Sequence, residues 1–448
     1  MIDAGRPSKA RLLLFAFGDF AFNLYWQSIM LFLLFYYSDA IGLPIAVAAT
    51  VYMIASVWDG IANLLAGLVV DRIQSRLRYG AWMVVGAAPL GLSFILAYLP
   101  PALPGMVGIA VVLGGQLIFR TAYAATNVPY LAMTARVSPN PSDRALVAGA
   151  RMLFGTLAAV IVALGTVPIG KWITGSADAP RTYLVAAMIF AIAGTAIMVL
   201  VGASYRDCVQ IERPPPGNVK AALLSLARNR AFVTLNGAMV AMIIAVTVLG
   251  KSVLYYFKYV FGDPAAGQLA LASISAVSAI AIPLWMITAR YLGMRTTWFV
   301  ATGIAMLGLA AFAVSDLRTP FGMQMFLIGM QVTIVGMHFA FWAMLPNTIE
   351  YGEAETGLHV EGAVFGVAAL LQRVGIGIAT AILGWTYASA GYVANVTQTG
   401  STLASMRATV AFVPLIFLAL SGAAMLFNPL GRNASVEIRK GLSAKPAI

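Results

Sequence analysis

A few ionisable and amide side chains stand inside long apolar runs of this chain, and their spacing limits the chemistry open to them. Asp59 and Asn63 are four residues apart, as are Asp19 and Asn23, so on a helix each pair shares a face. Arg120 and Asn127 are two turns apart, with Pro129 just beyond; Arg151, Lys251, Gln372 and Arg373 complete the set. A carboxylate in an apolar setting holds a proton, ligates a cation or pairs with a base. A guanidinium there cannot shed its charge, so it needs an anion from the protein or from a ligand. Covalent catalysis finds no footing, because no nucleophile–base pair is evident. Cys208 is the single cysteine, which excludes an internal disulfide, and His338 and His359 are too far apart for a metal pair at helical spacing. Neither an enzyme nor a metal or organic cofactor is expected.

The elements that must position these groups are membrane helices. Of 448 residues, 61% are hydrophobic and 10% charged, against about 25% charged in a soluble domain. Apolar blocks long enough to span hydrocarbon recur throughout. They are expected at 11–38, 45–71, 81–100, 104–133, 147–169 and 182–203, then at 232–261, 267–290, 296–316, 321–346, 362–391 and 402–427. The first begins like a signal peptide, with Arg6, Lys9 and Arg11 before an apolar run, but that run is too long and carries Asp19, so it reads as a retained helix. The fold class is an all-α membrane protein of twelve transmembrane helices in two six-helix bundles. Residues 1–203 form the first and 232–430 the second, joined by a polar linker at 204–231 containing Pro214, Pro215 and Pro216 and followed by a tail at 431–448.

The net charge of +12 is dispersed among short connectors, which argues for orientation in a membrane and against nucleic acid. With the N-terminus inside, nineteen Lys and Arg fall on the cytoplasmic side; Lys171, Arg181, Lys258 and Arg318, four in all, fall opposite. Both termini are therefore expected in the cytoplasm. A parallel repeat shows faintly: helix 2 runs into Asp71-Arg72 and helix 8 into Arg290, while helices 4 and 10 are expected to end near Pro129 and Pro346. Two such halves are the plan of a carrier with its site between them.

Asp59 reads as a coupling site for a proton or cation, or as an ion-pair partner, and Arg120 as a solute ligand or the partner of Asp59. Asp19 reads as a gate or a solute contact, with Asn23 the stronger solute ligand. Four interior bases face two interior acids, an excess an anionic solute could neutralise, although Arg151 and Lys251 can instead snorkel. Asp71, Arg72, Arg76 and Arg78 could latch helices at the cytoplasmic end, and Asn347, Glu350, Tyr351, Glu353 and Glu355 read as a polar hinge or a solvated connector after helix 10. Asp19, Asp71, Arg72, Arg290 and Glu350 are thus the gating candidates. His338 reads as a hydrogen-bonded core residue, and Tyr255-Tyr256-Phe257 as an interface belt or external gate.

Gly18-Asp19-Phe20, Phe35-Tyr36-Tyr37-Ser38-Asp39, Val57-Trp58-Asp59, Asn127-Val128-Pro129-Tyr130, Tyr255-Tyr256-Phe257-Lys258-Tyr259 and the run from Leu345 to Glu353 occur in order along the chain. Together they resemble the glycoside-pentoside-hexuronide:cation symporter family, which includes the melibiose carrier. The resemblance implies a major-facilitator fold, a sugar or glycoside held between helices 1, 4, 5, 10 and 11, and a sodium or proton site on helices 2 and 4. On it, Asp59 matches the first carboxylate of the cation motif, Asn63 replaces the second, Ala62 lies between them, and a helix 4 threonine falls at about Ala124. Asn23 and Asn127 match sugar-binding carboxylates, Arg151 a helix 5 arginine, and Arg373 a lysine. Hard cations want several oxygen ligands, so the depleted set favours a proton over sodium. The expected solute ligands are Asn23, Arg120, Asn127, Arg151, Gln372 and Arg373, with Asp59 and Asn63 as the coupling site, in a carrier that works as a monomer in the lipid bilayer of the cell inner membrane. An uncoupled facilitator, a carrier of a non-sugar organic anion or a lysolipid, and a transport-inactive sensor are the rivals.

Overall fold

The computed structural model describes residues 7–73, 78–175, 179–206, 219–315, 317–356 and 360–431. Among them run α1 (Lys9–Phe35, continued by a π-helical turn Tyr36–Ala40), α2 (Ile45–Ile73), α3 (Tyr79–Ala97), α4 (Gly105–Arg136), α5 (Pro141–Thr174), α6 (Ala179–Ser204) and α7 (Val219–Arg228). The chain goes on through α8 (Arg230–Tyr259), α9 (Pro264–Leu292), α10 (Met294–Val314), α11 (Pro320–Thr356), α12 (Glu361–Ser389) and α13 (Gly400–Leu426). All but α7 are long and apolar enough to cross a membrane, twelve among the described residues. Part of the stretch read as linker is therefore the helix α7, and 207–218 lie outside the described residues.

Local sequence explains where helices start and stop. Asn140 accepts from the backbone of Ser142 with Pro141 in the first turn, so α5 begins six residues before the expected boundary and ends at Gly175 in the left-handed region. Asp263 and Pro264 open α9 in the same way. Pro129 and Pro346, expected to end helices, lie inside α4 and α11. Pro129 has no N–H to give Ala125, but the indole Nε1 of Trp82 donates to that carbonyl at 2.8 Å, so α4 continues to Arg136. The segment with Glu350 is likewise the last part of α11 rather than a connector.

The chain divides into two units, the first comprising 1–215 with Val393–Val396 and the second 216–392 with 397–448. Within the first, α1 packs on α5 and α6, α2 on α4, and α3 on α4 and α6. Within the second, α8 packs on α12 and α13, α9 on α11, and α10 on α11 and α13. The pairing scheme is the same in both, as a parallel repeat requires. In each unit the first membrane-spanning helix is the more buried: 61% of the apolar window of α1 and 72% of that of α8 are buried, against 28% in α5 and α9. Hence Tyr255, Tyr256 and Phe257, at the end of α8, form core rather than an interface belt, with Tyr255 edge-on to Tyr387 and Tyr392. Lys251 is buried on the same helix and does not snorkel.

Candidate functional site

Two charged clusters stand out among the described residues of the first unit. Asp19, Asn23 and Gln27 form a polar strip along α1, each amide donating to the residue four before it: Asn23 Nδ2 to the Asp19 carbonyl at 2.9 Å and carboxylate at 3.1 Å, and Gln27 Nε2 to Asn23 Oδ1 at 3.2 Å. Helix α5 approaches the strip at Gly155, where a Cβ would lie 3.1 Å from Asn23 Nδ2 and 3.2 Å from Asp19 Oδ2. Four residues before that glycine, Arg151 reaches Asp19 Oδ1 through Nε at 3.2 Å and Nη2 at 2.9 Å. Its remaining arm donates to Thr134 Oγ1 at 2.8 Å, and its guanidinium lies 5.1 Å from the centre of the Tyr130 ring. Arg151 is thus anchored across three helices. Both charged side chains keep 17% of their surface exposed.

The second cluster is closed. Asp59 on α2 and Arg120 on α4 pair at 3.3 Å with exposures of 0% and 1%. Asn63 donates to the Asp59 carbonyl at 2.7 Å and to its carboxylate at 3.1 Å. Both neighbours are acceptors, so Asn63 presents its NH₂ to Asp59. Trp26 and Tyr52 hold their rings 5.2 and 5.4 Å from the guanidinium carbon, stacking that stabilises a desolvated cation. The ion pair uses only part of the arginine: the Tyr52 hydroxyl interacts with its guanidinium and Tyr37 with Gln116, while the Ser56 hydroxyl is buried without a hydrogen-bond partner among the described residues. Ser56 and Gln116 sit one turn before Asp59 and Arg120 on the same faces, a spacing that could have flagged them from sequence.

A family model described as MFS/sugar transport protein matches residues 14–432. The chain belongs to this family. The isoprimeverose transporter of Lactiplantibacillus pentosus is 25% identical over 425 residues, covering 92% of this chain and 87% of that one. The glucuronide carrier protein homolog of Escherichia coli (strain K12) is 26% identical over 435 residues, covering 95% and 93%. A solved structure of a bacterial homologue of the human lysosomal transporter Spinster matches with a TM-score of 0.69 at 12% identity, over 99% of this chain and 100% of the other. The major-facilitator fold and a multi-pass membrane protein of the sugar-symporter type follow, with relatives that are transporters rather than enzymes.

Within this family member the other expected residues lie on further helices of the two units. Asn127 is half-buried on α4. Gln372 and Arg373 stand half-buried on α12 of the second unit, where Gln372 Nε2 is buried without a partner among the described residues. Arg72 and Arg290 are exposed on the last turns of α2 and α9, and Glu350 is half-buried in α11. The side chain of Asp71, along with Arg76, lies outside the described residues. Arg151 does not snorkel, because Asp19 and Thr134 hold it. His338 bonds the carbonyl of Ile334 at 3.2 Å, as expected of a core histidine.

Proposed function

We propose that this protein carries a sugar, a glycoside or an acidic, uronide-like sugar across the cell inner membrane by alternating access, as a monomer with both termini in the cytoplasm and a proton as its coupling ion. The observation that carries the reading is the half-open strip of Asp19, Asn23 and Gln27 against Arg151. Amides match hydroxyls, and a guanidinium matches a carboxylate in two-point fashion. A relative named as a glucuronide carrier homolog supports the acidic class.

Sodium is disfavoured on charge and ligand count, since Arg120 already neutralises Asp59 and Asn63 turns its NH₂ toward it. A proton needs no ligand shell. Protonated Asp59 would leave Arg120 buried without an anion, so proton uptake is tied to delivery of another anion, and an acidic solute is one. The same neutral pair favours a second reading, an uncoupled facilitator, because it needs no exchangeable ion. Uptake of labelled glucuronide into proteoliposomes under imposed gradients separates these readings. An inward proton gradient is expected to drive accumulation and a sodium gradient to have no effect. Indifference to both selects the facilitator, accumulation of lysolipid or non-sugar anions alone rejects the sugar class, and binding without counterflow indicates a sensor.

A further inference from the structure

Arg151 leaves part of its fork unused. A guanidinium carries five N–H donors; Nε and Nη2 each give one to Asp19 Oδ1, and Nη1 gives one to Thr134 Oγ1. One N–H on each terminal nitrogen is left without an acceptor among the described residues. A second carboxylate can accept these donors without displacing Asp19. Thr134 beside them is also only partly engaged. Its oxygen accepts from Arg151 at 2.8 Å, its side chain is half-buried, and its hydroxyl proton has no acceptor among the described residues. Hydroxyls inside helices commonly donate to the carbonyl one turn back. On the same helix Thr121 and Thr126 do so, to Leu117 at 2.7 Å and Ala122 at 2.8 Å. Thr134 gives no such bond to Tyr130.

Tyr130 instead backs the guanidinium. Its ring centre lies 5.1 Å from the guanidinium carbon, its hydroxyl donates to the Phe15 carbonyl at 3.0 Å, and it is fully buried. A Cβ on Gly18 would fall 2.8 Å from that ring, so α1 and α4 hold the tyrosine between them. The spare donors of Arg151 and the spare proton of Thr134 therefore share one rigid corner. We propose that Thr134 is a solute ligand that reads the oxygen next to a carboxylate. In a uronate, the carbon that bears the carboxylate also bears the ring oxygen, which accepts hydrogen bonds and cannot donate them. With the carboxylate on the free N–H groups of Arg151, that oxygen meets the Thr134 proton. Such a role rests on the acidic-sugar reading of the solute and adds to it a means of choosing a pyranose over a simple carboxylate.

Titration calorimetry of the full chain in detergent tests this with methyl β-glucuronide and its carbocyclic analogue, in which a methylene replaces the ring oxygen. The wild type is expected to bind the glucuronide roughly tenfold more tightly than the analogue, the difference that one hydrogen bond makes. Thr134→Val, close in shape but without the hydroxyl, is expected to bring the two ligands to equal affinity, and Thr134→Ser to keep them apart. Thr134→Ala takes its place should Thr134→Val not fold. Equal weakening of both ligands with the preference intact overturns the donor role and leaves Thr134 a support for Arg151. Absence of any preference in the wild type overturns it as well. Binding of neither ligand, with methyl β-glucoside bound instead, overturns the acidic-sugar reading itself and this role with it, a result distinct from loss of the preference alone.

Discussion

The contact of α2 with α4 in the first unit and that of α9 with α11 in the second occupy equivalent places in the repeat, yet they are joined by different chemistry. The first is crossed by the fully buried Asp59–Arg120 ion pair beside a neutral bond from Trp58 Nε1 to Thr121 Oγ1 at 2.9 Å. The second is crossed by Gln324 to Ser273 at 2.8 Å and Gln331 to Ser278 at 2.9 Å, both neutral. The fold decides which helices touch, and the side chains decide what the contact can do. A neutral amide–hydroxyl bond can open with little loss. A buried ion pair opens only if a proton or another ion takes the place of the departing charge, so on the proposed coupling the α2–α4 contact is a switch and the α9–α11 contact a fastening.

The largest effect expected from that contrast is for Asp59→Ala. It strands the Arg120 charge in a dry site and is expected to cost about 3–5 kcal/mol, seen as loss of monodisperse protein in detergent. The double variant D59L/R120M removes both charges and is expected to recover most of the folded protein without gradient-driven uptake. Recovery of uptake as well would show that the pair is structural only. Next comes Arg151→Lys, which keeps the charge but loses the fork that spans Asp19 and Thr134. Because this pair is partly solvated, a stability cost of about 1 kcal/mol is expected, together with a larger loss of glucuronide uptake. Equal losses of stability and uptake would remove the strip from the solute path.

A smaller effect tests a neutral bond of the same unit, the one that holds α3 against α4 where Pro129 interrupts the helix. Trp82→Phe removes the donor to the Ala125 carbonyl freed by Pro129 and is expected to lower stability by about 1 kcal/mol. The thermal unfolding midpoint measures it, and an unchanged midpoint would mean that water serves that carbonyl equally well.

The legible part of this molecule was what depends on length and hydropathy: twelve spans, the order of the halves, and the interior position of Asp59, Asp19, Arg120 and Arg151. What depends on a neighbour was not. Pro129 read as a helix end because the rescuing indole of Trp82 is 47 positions away in the chain. Tyr255-Tyr256-Phe257 read as a belt or an external gate because aromatic residues near a helix end commonly are one, whereas all three are buried on a helix whose apolar window is 72% buried. Arg120 had two readings, and only the register of α2 against α4 puts it on Asp59. Ser56 and Gln116 passed unnoticed because neither is charged, although each lies one turn from a residue that is.

The smallest effect is expected for Gln331→Leu, and its smallness is what the comparison requires. Hydrogen bonds between membrane helices contribute on average about 0.6 kcal/mol, because the separated helices find other partners in the bilayer. Here the loss is cushioned further: Ser278 already donates to the Ile274 carbonyl at 3.1 Å, so removing the glutamine leaves its hydroxyl satisfied. Leucine also suits an apolar contact between helices. The unfolding midpoint should therefore move little, and uptake should retain its dependence on the proton gradient. A destabilisation approaching that of Asp59→Ala would show that neutral and ionic crossings are held equally tightly, and the assignment of switch to one unit and fastening to the other would fail.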